Sequence, residues 1–180
     1  MRKIFLTGIQ TFFLDIVMWV IFHLSIGYWS SRIPVNLFNP ESLLFKTRKW
    51  EKNGLVYEKV FKIRSWKDHF PSGAAFYQDA YEIQHIDEFS IENVRTWILE
   101  SCRSEFCHIL MIFPGFLFFL WNTIEVGWLM VGYALLNNIV PIIMQRYNRP
   151  RVKKLLQYME RSKKYGQPLN QRSDQLPQPT

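Results

Sequence analysis

Two cysteines in 180 residues, Cys102 and Cys107, are too few and too close in sequence to staple a fold, which excludes a disulfide framework. They form no metal-ligand spacing with His23, His69 or His85, and no metal is expected. The chain has only eight glycines, and none is arranged as a Walker loop, a nucleophile elbow or a dinucleotide fingerprint. His85-Ile-Asp87 has the wrong interval for the His-x4-Asp box of soluble-type acyltransferases. Acidic residues are short as well, with 15 Asp and Glu against 22 Lys and Arg, a formal net charge of +7. Nucleic acid is not an expected partner.

What the chain does have is apolar surface. Its 7 Trp, 15 Phe and 8 Tyr are far more than a solvated, disordered chain carries. The near-neutral mean hydropathy averages three long apolar runs with charged segments. Residues 4–31 hold Asp15 as their only formal charge, and residues 106–124 and 126–145 hold none. Each run reaches the ~20 residues that a helix needs to cross about 30 Å of hydrocarbon. The pattern predicts an all-α integral membrane protein, a single membrane domain over 1–180. Met1-Arg2-Lys3 looks like the charged start of a signal peptide. The apolar run behind it is too long for one, however, and Gly27-Tyr28-Trp29-Ser30-Ser31 offers no small-x-small cleavage site, so the run reads as a retained helix.

The second and third runs are separated by Glu125 alone, flanked by Asn122, Thr123 and Gly127, and should form a tight antiparallel hairpin. Trp29, Trp121 and Trp128 stand at segment ends, where interfacial aromatics sit. Eleven Lys and Arg follow the first run, nine lie from Arg146 onward, the hairpin loop has none and the N-terminus has two. The positive-inside rule then places the middle region and the C-terminus in the cytoplasm, with the hairpin tip and the N-terminus outside, in a multi-pass protein of the cell membrane. An interfacial or re-entrant first segment would instead leave the N-terminus cytoplasmic.

Residues 32–105 form a cytoplasmic, helical insert with turns at Pro34, Asn39-Pro40, Asn53-Gly54 and Pro71-Ser72-Gly73. Residues 41–52 look helical, and Leu55, Val56, Lys59, Val60 and Ile63 recur at helical spacing. Ser90 suits an N-cap, with Glu92 in the first turn and Val94, Trp97, Ile98 and Ser101 on one face. No Gly or Pro intervenes before Pro114, so that helix runs toward the second membrane segment. Asn148 and Pro150 suggest the start of a further helix over 150–165. Its face of Val152, Leu155, Leu156 and Met159 is surrounded by cations, the pattern of an interfacial helix on anionic lipid. The polar residues 167–180 read as a disordered tail. Asp15, costly inside a membrane, should face the bundle, with Asn137 and Asn138 as candidate partners.

Three polar clusters are candidates for chemistry. In Glu100-Ser-Cys-Arg103-Ser-Glu105-Phe-Cys-His108, Glu105 and His108 are i, i+3 neighbours, as are Glu100 and Arg103. A carboxylate beside an imidazole orients it and raises its basicity, as a general base acting on an alcohol requires. The same set also reads as a self-neutralising helix end at the interface. Arg64, Trp66 and Lys67 suit phosphate binding with ring stacking, or a seat on lipid headgroups. Arg146, Asn148 and Arg149 suit substrate binding, or a helix stop with a positive-inside anchor.

In order, Arg32-Ile33-Pro34, Phe45-Lys46, Glu51-x-x-Gly54-x-x-Tyr57-x-Lys59, Arg64-x-Trp66-Lys67, Arg103-x-Glu105-x-x-His108 and Gln145-Arg146-Tyr147-Asn148-Arg149-Pro150-Arg151 resemble the glycosyl-4,4'-diaponeurosporenoate acyltransferase family. The resemblance spans about residues 32–151, and the last motif is its most specific element. It implies a small membrane enzyme that esterifies a fatty acyl chain onto the sugar of a glycosylated C30 carotenoid acid, in staphyloxanthin-type pigment synthesis. It assigns no catalytic residues, so roles follow from chemistry. His108, oriented by Glu105, deprotonates the sugar hydroxyl as it attacks a thioester, and Arg103 or Arg149 stabilises the oxyanion. Arg64, Lys67 and Arg146 bind the phosphates of an acyl carrier. No bound cofactor is expected, and acyl-CoA or acyl carrier protein is the expected donor. Expected partners are membrane lipid, the two substrates and other enzymes of the pathway. The rival readings are a non-catalytic lipid-binding or adaptor protein, and an acyltransferase for a different glycolipid.

Overall fold

A computed structural model of the chain describes residues 4, 6–66 and 90–165. Lys67, His69, His85, the expected turn at 71–73 and the tail at 167–180 lie outside the described residues. Among the described residues every regular element is helical. The α-helices are α1 (Gly8–Arg32), α2 (Leu55–Phe61), α3 (Ile91–Ile112) and α4 (Ile124–Tyr165), with a 3-10 helix at Phe113–Leu120 between the last two. Three helical stretches are long and apolar enough to cross a membrane, namely α1, residues 91–120 and α4. The chain divides into two compact units, Met1–Ile33 with Arg103–Ile142 and Pro34–Cys102 with Ile143–Thr180.

In the first unit, α1 starts from a capping box. The Gln10 amide N–H donates to Thr7 Oγ1 at 3.4 Å and the Thr7 amide N–H to Gln10 Oε1 at 3.1 Å, so two otherwise orphaned donors are satisfied reciprocally. Only Asp15, Gly27 and Ser30 of α1 are buried, while Phe12, Phe13, Val17, Val20 and Leu24 are exposed. A helix apolar on nearly all sides suits hydrocarbon and not water. The second apolar run is not one continuous α-helix. Pro114 lacks a backbone donor and disfavours the α conformation before it, so the helix tightens into 3-10 geometry from Phe113. Beyond it, the Trp121 and Asn122 amides donate to the Phe118 carbonyl and turn the chain. The Ile4 amide donates to the Leu120 carbonyl at 3.0 Å, which puts the start of α1 beside the hairpin turn.

Asp15 corrects an expectation. Its Oδ1 accepts from Trp121 Nε1 at 2.7 Å and from Asn122 Nδ2 at 2.8 Å, so these partners come from the hairpin turn and not from Asn137 or Asn138. The carboxylate is buried, and the turn supplies two side-chain donors that have no other use at the end of a hairpin.

In the second unit, residues 41–52 are not an α-helix. The Asn39 side chain accepts from the Glu41 amide at 2.8 Å, an Asx turn that competes with helix formation. A 3-10 helix at Lys49–Gly54 then breaks where Lys52, Asn53 and Gly54 take φ of 47°, 56° and 84°. The Asn-Gly pair tolerates this left-handed geometry, and Lys52 takes it at a cost. The chain re-enters a helix at Leu55 and leaves it at Phe61, with Lys62 left-handed at the cap. Ser90 caps α3, its Oγ accepting from the Asn93 amide at 3.1 Å.

The expected break at Pro150 is absent, since the proline sits inside the 42-residue α4. Proline removes one donor, to the Arg146 carbonyl four residues earlier, and the helix continues through it. Residues 150–165 therefore continue α4 and do not start a separate helix. Met159 is buried, Arg95 pairs with Glu160 at 2.8 Å, and Lys153 pairs with Glu41 at 2.6 Å.

Candidate functional site

The first unit holds the His108 group. His108 lies in α3, half-buried, and its Nδ1 is 2.9 Å from Asn138 Oδ1 of α4. Asn138 is 2% exposed, and its Nδ2 donates to the Ala134 carbonyl at 2.8 Å. A short amide reaches the imidazole because the hairpin is tight. A Cβ added to Gly115 would stand 3.0 Å from Ala134 Cβ and 3.3 Å from Val131 Cα, so a larger residue there would push the two arms apart. Glu105, one helical turn before His108, is fully buried. Arg103 Nη1 donates to the carbonyls of Ser31 and Ile33 at 3.0 and 3.3 Å. It thus caps the C-terminal end of α1, where a cation also meets the negative pole of the helix.

On α1, His23 Nδ1 bonds the Trp19 carbonyl at 2.9 Å. Trp19 stacks on Phe118 at 4.7 Å, meets Tyr133 edge-on at 5.0 Å and donates its Nε1 to Met130 Sδ at 3.3 Å. These contacts give the unit an aromatic wall beside its histidines.

The second unit shows what the most specific motif does locally. Arg146 Nη1 is paired with Glu51 Oε1 at 2.8 Å and Nη2 donates to the Leu44 carbonyl at 2.5 Å. Glu51, 1% exposed, also accepts from Tyr57 Oη and from the Arg48 amide, both at 2.8 Å. Arg149, 1% exposed, donates Nε to Ser101 Oγ at 2.7 Å, Nη2 to the Ser101 carbonyl at 2.9 Å and Nη1 to the Phe45 carbonyl at 3.1 Å. Both guanidiniums therefore tie the 44–57 loop and α3 to α4. Gly54 completes the lock: a Cβ there would stand 2.8 Å from the Tyr147 carbonyl. Tyr147 itself is buried with Tyr57 and Ile63, and Trp66 and Ile143 pack on that core.

Trp66 donates Nε1 to the Phe61 carbonyl at 2.8 Å. Arg64 is exposed, and Asn148 is half-buried. Arg151, which the candidate list does not include, lies over the Tyr147 ring with its Cζ 3.6 Å from the centroid.

Asn138 and Glu51 were not among the sequence candidates for the site. A signal for Asn138 exists in the register, because His108 and Asn138 each lie fifteen positions from Thr123, the middle of the hairpin turn. Glu51 carries no comparable mark, since its partner Arg146 lies 95 positions away.

An all-helical chain with three membrane-length helices is an integral membrane protein, and within those helices a histidine is held by a buried amide. A family model described as glycosyl-4,4'-diaponeurosporenoate acyltransferase matches residues 40–158. A protein of that name from Staphylococcus aureus (strain MRSA252) is 32% identical over 159 residues, 88% of this chain and 96% of its own length. Another from Staphylococcus aureus (strain N315) is 32% identical over 153 residues, 85% of this chain and 92% of its own length. The chain belongs to the glycosyl-4,4'-diaponeurosporenoate acyltransferase family and is an acyltransferase, which sets aside the adaptor reading. No solved structure matches it.

Proposed function

We propose that the protein transfers a fatty acyl chain from a thioester, acyl-CoA or acyl carrier protein, to a sugar hydroxyl of a glycosylated C30 carotenoid acid at the cytoplasmic face of the cell membrane. The family name supports the acceptor, and the number of Lys and Arg outside the apolar runs supports the orientation. His108 is the general base. The observation that carries this role is that, among the described residues, only its Nδ1 has a hydrogen-bond partner, which leaves Nε2 for a substrate.

The sugar O–H gives its proton to His108 as its oxygen attacks the thioester carbonyl carbon. The C–S bond then breaks, and the departing thiolate takes the proton back. Glu105, one turn before His108, supplies negative potential that stabilises the imidazolium. Arg103 supports the oxyanion through its charge, its Nη1 being engaged by the Ser31 and Ile33 carbonyls. The apolar chains lie along the membrane-length helices, with Trp19 and Tyr133 offering flat surface to the polyene. In the second unit, exposed Arg64 with Lys67 and Asn148 binds anionic or polar groups of the donor. Arg146 and Arg149 have no substrate role in this reading because the fold engages them, and Trp66 acts through packing.

The test is mass spectrometry of lipid extracts from cells that make the glycosylated carotenoid acid, with the intact protein or with His108→Ala. An acyl-ester mass formed only by the intact protein is expected. Equal ester with both removes the base assignment, and no ester with either points to a different glycolipid acceptor.

A further inference from the structure

We infer that Asn138 is a positioning residue that selects which nitrogen of His108 performs the proton transfer; the inference rests on the reading of His108 as base. Two hydrogen bonds in sequence carry it. Asn138 Nδ2 lies 2.8 Å from the Ala134 carbonyl. A carbonyl oxygen only accepts, so this contact assigns nitrogen and oxygen of the amide from the network itself. Oδ1 is then the atom 2.9 Å from His108 Nδ1. An amide oxygen also only accepts, so Nδ1 carries the ring hydrogen. In a neutral imidazole that leaves the lone pair on Nε2, the nitrogen farther from the α3 backbone.

The direction of the chain of bonds is set by the helix. The Ala134 carbonyl belongs to α4 itself, four residues before Asn138, and does not move independently of it. Asn138 is 2% exposed and Ala134 fully buried, so water does not compete for either group. The Asn side chain is thus held with its acceptor toward His108, and the opposite tautomer would set two acceptors face to face. An amide also keeps its role through the reaction. When Nε2 takes the sugar proton, Nδ1–H still donates to Oδ1, and a neutral amide, unlike a carboxylate, offers no site to which that proton could pass. Glu105, expected from the sequence to orient the ring, is a neighbour on the same helix, whereas the bond that fixes the ring comes from α4.

The experiment uses the full chain in lipid nanodiscs with selectively 15N-labelled histidine, the His108→Ala spectrum assigning the His108 signals. The wild-type spectrum is expected to show Nδ1 protonated and Nε2 unprotonated. The reverse tautomer overturns the inference without any Asn138 variant. Asn138→Leu is expected to mix the tautomers and lower kcat by roughly 10–100-fold, the range for residues that orient a functional histidine, with KM changed less than about twofold. Asn138→Asp keeps an acceptor for Nδ1–H but loses the donor to the Ala134 carbonyl, and is expected to keep the wild-type tautomer with a rate between those of wild type and Asn138→Leu. Where Asn138→Leu does not fold, the wild-type tautomer and Asn138→Asp decide. An unchanged kcat and tautomer in Asn138→Leu, with His108→Ala inactive, overturns the positioning role alone. Turnover retained in His108→Ala removes the base reading, and this inference with it.

Discussion

The guanidinium of Arg146 is bound at 2.8 Å to the carboxylate of Glu51, 95 positions earlier in the chain, and Glu51 is 1% exposed. This pair holds the loop before α2 to α4. It gives the residues from Gln145 to Arg151 an architectural role in the second unit, where the sequence alone also admitted a binding role.

Removing one partner from that pair should be costly. Arg146→Met leaves a buried carboxylate with only Tyr57 and the Arg48 amide, and a loss of about 3 kcal/mol is expected. Glu51→Gln combined with Arg146→Met should cost less than the sum of the single changes, because the stranded charge is gone. Thermal unfolding in detergent of the four proteins measures both; equal melting temperatures for wild type and Arg146→Met would return Arg146 to the substrate-binding candidates.

Gly54→Ala should destabilise the second unit by about 1–3 kcal/mol. The position has φ of 84°, and the added Cβ meets the Tyr147 carbonyl at 2.8 Å. A lower melting temperature with the surviving folded fraction fully active is the expected outcome, and an unchanged melting temperature contradicts the lock.

Asp15 should tolerate an amide and reject an apolar residue. Asp15→Asn keeps an oxygen for Trp121 and Asn122, and near-wild-type stability is expected. Asp15→Leu strands both donors in a buried site, at about 1–3 kcal/mol for each. Comparing denaturation midpoints in mixed detergent tests this, and an unaffected Asp15→Leu would show that the hairpin turn does not depend on the carboxylate.

Trp66→Phe should lose the indole bond to Phe61 and little packing, at about 1 kcal/mol. KM for the acyl donor is expected to stay constant. A several-fold rise in KM at unchanged stability would show instead that the indole stacks on a substrate.

The membrane helices were legible because runs of about twenty residues with at most one formal charge admit few other structures, and the hairpin because Asn122, Thr123, Glu125 and Gly127 interrupt them. The cap at Ser90 and the turn at Asn53-Gly54 are local, so their residue types mark them. Where a local preference met a competing partner, sequence reasoning failed. Residues 41–52 carry helix formers, yet the Asn39 turn and the buried Glu51 set their path. Pro150 would stop an isolated helix, but in α4 the buried Tyr147, Arg149 and Met159 hold the segment in place and the helix continues.

The site divides in the same way. His108 stood out by its i, i+3 spacing from Glu105, and Arg149 as part of a specific motif. That Asn138 holds the first, and that backbone carbonyls and Ser101 consume the second, depends on bonds spanning 30 and 48 positions. Composition and run length alone determined that this chain is helical and membrane-spanning, because hydrocarbon admits only backbone that satisfies itself. Which ring nitrogen faces a substrate, and which arginines the fold itself engages, only the tertiary structure decided. Hydrogen bonds act over about 3 Å, and residue order does not say which distant groups come within that range.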